Sequence, residues 1–170
     1  MEFLVSASYA HFARSSLRRD EYQQLYMAMH GKKACQLSRV VEIRWLSLEA
    51  ALDEQIKQWD ALAAYFAREA NNGSPEMYTL RQLRDLYNPK HKTVLVFVCE
   101  RIRQLNKLNR LFQSEQPNQA ILLDHLMAFY YSVLEEVITA DGLRRVKTTA
   151  DPLSFDFQPY RKTVSEIHFG

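Results

Sequence analysis

Arg44 and Trp45 stand side by side just ahead of a long apolar repeat, and here residue type and position both speak to chemistry. A tryptophan at a helix entrance can stack on an unpaired base while a neighbouring guanidinium holds a phosphate, an arrangement that stabilises an extruded nucleotide. The same indole can instead staple the helix start against a core, with the arginine capping something local. Residue types alone favour the packing role.

A second constellation is Arg103, Lys107 and Arg110, at i, i+4 and i+7, set away from Leu105, Leu108 and Phe112. Such a stripe can follow a phosphate backbone, each charge releasing counterions. It can equally be the solvated side of a helix, which is the more common role of a basic stripe. Arg81, Arg84, Lys90 and Lys92 add basic density nearby. The formal net charge is only +2, but it is unevenly spread. From 42 to 76 three basic residues (Arg44, Lys57, Arg68) face seven acidic ones, whereas from 81 to 110 eight basic residues face Asp85 and Glu100.

Catalytic chemistry finds little to work with. Glu49 with Asp53 and Glu135 with Glu136 come nearest to paired carboxylates. Only the first pair shares a helix face, and Lys57 follows one turn on, so a solvated charged face is the better reading. His11, His30, His91, His125 and His168 are scattered, none with a second ligand at helical spacing. His125, between Leu122 and Leu126, reads as a partly buried, hydrogen-bonded side chain. Cys35 and Cys99 make neither a disulfide framework nor a zinc site and fit a reducing compartment. There is no glycine-rich phosphate loop, no Gly-x-Ser-x-Gly elbow and no His-Glu-x-x-His, and these chemistries need those shapes and spacings. No catalytic residue, cofactor or metal is expected.

The elements that would position these residues are helices. Four glycines and five prolines in 170 residues leave too few turns for a many-stranded architecture, and the length suits one domain over 1–170. Arg14, Arg18 and Arg19 give the first nineteen residues the look of a transit peptide, but Tyr22, Leu25, Tyr26 and Met29 carry the apolar pattern on, which favours a helix-loop-helix start. Phe3, Leu4, Ala7, Ala10 and His11 mark a first helix that loses its pattern near Ser15 and Ser16. A second is expected from about Asp20 to Met29, stopping at Gly31. Val40, Val41 and Ile43 suggest at most a short extended segment near 39–43. One long helix capped by Ser47 then buries Leu48, Leu52, Ile56, Trp59, Leu62, Ala63 and Phe66 and ends near Ala70, ahead of a loop at 71–77. Asn88 and Pro89 open another that continues through Val94, Val98, Leu105, Leu108 and Phe112. Ile121, Leu122, Leu126, Phe129, Val133, Val137 and Ile138 define a last helix, stopping before Gly142, and 151–170 is irregular. The longest apolar run, "VLVFVC", is far short of the ~20 residues of a membrane span. The expectation is an all-α, bundle-like domain with long antiparallel helices.

"RWLSLEAALDEQIKQWDALAAYF", "VFVCERIRQLNKLNRLFQSEQP" and "LLDHLMAFYYSVLEEVI" together resemble the central part of hAT-family transposases, especially the domesticated transposase-derived proteins of animal genomes. "YAHFARSSLRRDEYQQL" and "SEIHFG" extend the resemblance over nearly the whole chain. The family resemblance implies a helical insertion within a ribonuclease H-like region, lying between the second Asp and the final Glu of a two-metal site. None of those three carboxylates is carried over to a residue here. Arg44-Trp45 matches the family motif whose tryptophan is implied to stack on a flipped base. The resemblance thus implies a non-catalytic, transposase-derived chain, in the nucleus or cytoplasm with the nucleus preferred; the expectation is that it binds nucleic acid weakly or not at all, with Arg44 and Trp45 from the family motif and Arg103, Lys107 and Arg110 from the basic stripe as the candidate contacts. The alternative is a helical module that meets a protein partner, with no nucleic-acid role.

Overall fold

The computed structural model describes residues 2–39, 45–71, 77–113 and 119–167. The protein is all-α, and among the described residues eight α-helices and three short 3₁₀ turns account for the regular structure. One isolated antiparallel bridge joins Ile138 to Arg161. The chain gathers into two compact units, residues 1–102 and 103–170.

The first unit opens with α1 (Glu2–Ala13) and α2 (Ser16–His30). Helix α2 begins four residues earlier than its apolar pattern suggests, because Ser15 in extended conformation caps it, its hydroxyl accepting from the Arg18 N–H. It ends where expected. Gly31 takes the left-handed conformation at φ 66° and its N–H returns to the Met27 carbonyl at 2.8 Å. The extended segment expected near 39–43 falls on residues 40–43, outside those described.

The long helix expected from Ser47 to Ala70 is two helices, α3 (Trp45–Lys57) and α4 (Trp59–Glu69). Ser47 is not the cap; it lies inside the first turn of α3. The break falls on Gln58, whose backbone leaves helical geometry at φ −107°, ψ 9°. Its side chain explains why. Buried at 1% exposure, the amide accepts from the Tyr22 hydroxyl (3.0 Å) and donates to Cys35 Sγ (3.1 Å) and back to the Glu54 carbonyl (3.3 Å). A buried amide must find partners, and here they come from three segments at the cost of one regular turn.

Helix α5 (Met77–Leu86) is an element that the patterning above does not include, although Leu80, Leu83 and Tyr87 step by three and four and all are buried. Most of the loop expected at 71–77 lies outside the described residues. Asn88 then caps α6 (Pro89–Phe112) as expected, its Oδ1 accepting from the His91 N–H at 3.0 Å. The core of this unit is aromatic: His11, Phe12, Tyr22, Tyr65 and Phe66 meet edge-on or tilted, and Phe66 stacks on Tyr87 at 5.3 Å. Ser8, Gln55 and Tyr87 inside it pair with one another. Tyr87 Oη meets Ser8 Oγ at 2.9 Å and accepts from Gln55 Nε2 at 2.8 Å. Arg18 can only donate, so its 3.4 Å contact with His11 Nδ1 assigns the ring proton to Nε2, which faces Tyr65 Oη at 3.2 Å.

In the second unit, residues 103–112 of α6 are followed by α7 (Gln119–Val137) and α8 (Ala140–Thr148). The last helix therefore stops sooner than expected and Gly142 sits inside a separate helix. The interruption at Ile138 and Thr139 serves the tail: Thr139 N–H donates to the Tyr160 carbonyl (2.8 Å) and Lys162 N–H to the Val137 carbonyl (2.9 Å). Thr139 also caps α8, its Oγ1 accepting from the Gly142 N–H. A glycine is required at 142 because a Cβ there would stand 2.5 Å from Tyr160 Cβ. Leu134, Ile138 and Val146 form this core, packed by Tyr130, Leu143, Phe155 and Phe157. The region expected to be irregular, 151–170, contains the 3₁₀ turns Pro152–Ser154, Gln158–Tyr160 and Val164–Glu166.

Candidate functional site

The five residues expected to contact nucleic acid are not equally placed. Arg44 lies outside the described residues, and of Trp45 only the backbone is described, as the first residue of α3. Arg103, Lys107 and Arg110 do lie along the C-terminal half of α6, where Lys107 and Arg110 are exposed and Arg103 is half-buried. The additional basic residues divide. Lys92 pairs with Asp60 at 3.1 Å and Arg84 with Asp85 at 2.8 Å, whereas Arg81 and Lys90 are exposed.

Of the carboxylates expected as pairs, Asp53 is half-buried. Asp53 Oδ1 accepts from the Cys99 thiol at 3.3 Å. The carboxylate with the clearest task is Glu54, to which the sequence reading assigns no role. Its two oxygens accept from the Ser38 N–H (2.6 Å) and hydroxyl (3.0 Å), tying the segment after α2 to α3. Only a partner far along the chain could have announced it. Among the described residues no group of three or more His, Cys, Asp or Glu is placed to hold a metal ion. No helix among them is long and apolar enough to cross a membrane.

The distinctive surface is apolar and lies in the second unit. Helices amphipathic on one face leave polar residues outside, but α7 carries apolar residues around its whole first half, "AILLDHLMAF". Its second half contributes Tyr130, Leu134 and Val137 to the core, while Ile121, Leu123 and Leu126 are 50%, 59% and 42% exposed. Leu111 and Phe112, at the end of α6, are 39% and 47% exposed. Between the two helices runs a groove of about 370 Å³, floored by Leu108, Leu111, Ala128 and Phe129 and rimmed by Lys107 and His125. His125 is thus exposed, not partly buried as expected, because α7 turns that side to the groove mouth and not to a core. The sequence did carry a signal for this surface: the repeat from Ile121 to Phe129 is too wide for one buried stripe.

No protein-family model matches the sequence, and no curated protein or solved structure is similar to it.

Proposed function

We propose that the chain is a non-catalytic helical module that works by docking another polypeptide, on a scaffold of transposase-derived origin. The observation that carries this reading is the apolar exposure in the second unit, where five large side chains at the end of α6 and in the first half of α7 each stay at least 39% exposed. A single exposed leucine is ordinary, but this density of exposed large apolar side chains on two short helical stretches supports an interaction role. The hAT resemblance supports the origin, and it supplies no catalytic carboxylate to any residue here. Tagged chain should therefore co-purify a protein partner that survives nuclease treatment, and the exposed pair Leu123→Glu with Leu126→Glu should abolish the capture. Capture lost on nuclease treatment, or undiminished in that variant, would remove the reading.

A second reading, weak nucleic-acid binding, is favoured by the exposure of Lys107 and Arg110 on one helix. Arg103 shares their spacing, and Arg44 and Trp45 join them on the resemblance alone. It is tested by titrating labelled single-stranded DNA over a range of salt. Lys107→Ala with Arg110→Ala should flatten the slope of log K against log salt by roughly 1.4, two lost phosphate contacts. Trp45→Ala should weaken binding by the ~1–3 kcal/mol of one base stack. Salt-insensitive binding, or binding indifferent to these changes, excludes it.

A further inference from the structure

We infer that the cleft between α1, α2 and the segment after α2 takes a small zwitterion, an α-amino acid with a flat apolar side chain. The site lies in the first unit and does not depend on the docking reading above. Three segments enclose about 550 Å³, within the ~300–1,000 Å³ of small-ligand sites. Helix α1 lines the cleft with Tyr9, Phe12 and Ala13, and α2 with Arg19, Tyr22 and Gln23. Each set is spaced i, i+3 and i+4 and so lies on one face of its helix. Residues 35–37 close the third side.

These walls are held by the fold itself. Gln23 exchanges two hydrogen bonds with the Ala34 backbone, each 3.0 Å, and Gln58 Nε2 donates to Cys35 Sγ at 3.1 Å. Ser38 then anchors the far end of the segment on Glu54. A preformed wall lowers the ordering penalty of binding.

The lining sets the class of ligand. Phe12, Tyr22 and Leu37 are 6%, 4% and 8% exposed and make an apolar, mostly aromatic floor beside half-buried Tyr9, a surface suited to a flat ring. At the exposed mouth stand one cation and one anion, Arg19 and Asp20. Arg19 is fixed over the end of α1, its Nη1 donating to the Phe12 carbonyl at 3.2 Å. A guanidinium has five N–H donors, so enough remain for a two-point grip on a carboxylate. Asp20, the next residue of α2, can accept from an ammonium group. A lone anion meets repulsion from Asp20 and a lone cation from Arg19. A ligand carrying both charges side by side, with a ring beyond them, meets all three demands.

Ligand-observed NMR titration of the full chain with free L-tryptophan tests this. Two analogues accompany it: tryptamine, which lacks the carboxylate, and indole-3-propionate, which lacks the ammonium. Each analogue should bind about tenfold more weakly than the amino acid, the loss of one charge-assisted contact. In Arg19→Gln, tryptophan should bind no better than tryptamine; in Asp20→Asn, no better than indole-3-propionate. A merely structural role for either residue would not match each variant to its own analogue. Both side chains are exposed, so neither substitution opens the core. No binding of tryptophan at ~10 mM, far weaker than a specific site gives, overturns the proposal. So does equal affinity for the three compounds, or a pair of variants that lose both discriminations alike. Tighter binding of adenosine than of tryptophan would also overturn it, by assigning the cleft to a planar heterocycle.

Discussion

Between about pH 10 and pH 11 the unfolding free energy should fall by roughly 3 kcal/mol, because three tyrosines of the first unit are held neutral by the fold. Burial pushes the Tyr22, Tyr65 and Tyr87 phenols well above their ordinary value. At Tyr22 the neighbouring Tyr87 and Tyr26 add to the effect, and at Tyr65 Glu69 and Glu21 do, while the hydrogen bonds of Ser8 and Gln55 offset part of it at Tyr87. All three are at most 7% exposed, so solvent screens little of it. Below pH ~10 a tyrosine is protonated in both states and the stability is independent of it. Above that pH the unfolded chain releases three protons that the native state keeps, so unfolding becomes more favourable as pH rises. Each phenol contributes a limiting slope of roughly 1.4 kcal/mol per pH unit. Urea unfolding at a series of alkaline pH values reads this directly. Tyr87→Phe should remove about a third of the slope, while costing ~1–3 kcal/mol at neutral pH by leaving Gln55 and Ser8 without their buried partner. Stability that stays flat through this window would mean the phenols are not buried as described.

How much of this was legible beforehand follows from the range over which each residue acts. Caps and breakers act within a turn, so Gly31 ending α2 and Asn88 with Pro89 opening α6 could be read from neighbours alone. Leu62, Phe66 and Leu108 could be assigned to apolar faces because a helix repeats on itself. Gln58 could not. A glutamine inside an apolar run looks like the wet side of a helix until Tyr22 and Cys35, 36 and 23 residues away, arrive to bond it. The interruption at Thr139 likewise depends on Tyr160 and Lys162, which no local pattern connects to α7. At the candidate site the basic stripe was legible as spacing, but spacing does not tell a wet face from a contact. The apolar surface was half legible: the repeat from Ile121 to Phe129 is too wide for one buried stripe, but only the fold shows that the first half of α7 remains outside.

Phe66→Ala should cost ~3–5 kcal/mol, a large part of the stability of a domain of ordinary size. Phe66 is 0% exposed and its ring touches four others, His11, Phe12, Tyr65 and Tyr87, which come from α1, α4 and the turn after α5. Truncation loses the transfer energy of the ring and leaves a cavity, and neighbouring rings are too rigid to collapse into it. Part of the loss is specific to the stacked pair. Phe66 and Tyr87 lie nearly parallel, at 20° between planes, and such contacts are worth ~0.5–1.5 kcal/mol beyond burial. A double-mutant cycle of Phe66→Leu and Tyr87→Leu isolates that coupling, since leucine keeps most of the volume while removing the ring. Chemical unfolding of the four proteins should give a positive coupling in this range. Additive losses would reduce the pair to volume filling, and a cost under ~1 kcal/mol for Phe66→Ala would be incompatible with a ring enclosed on every side.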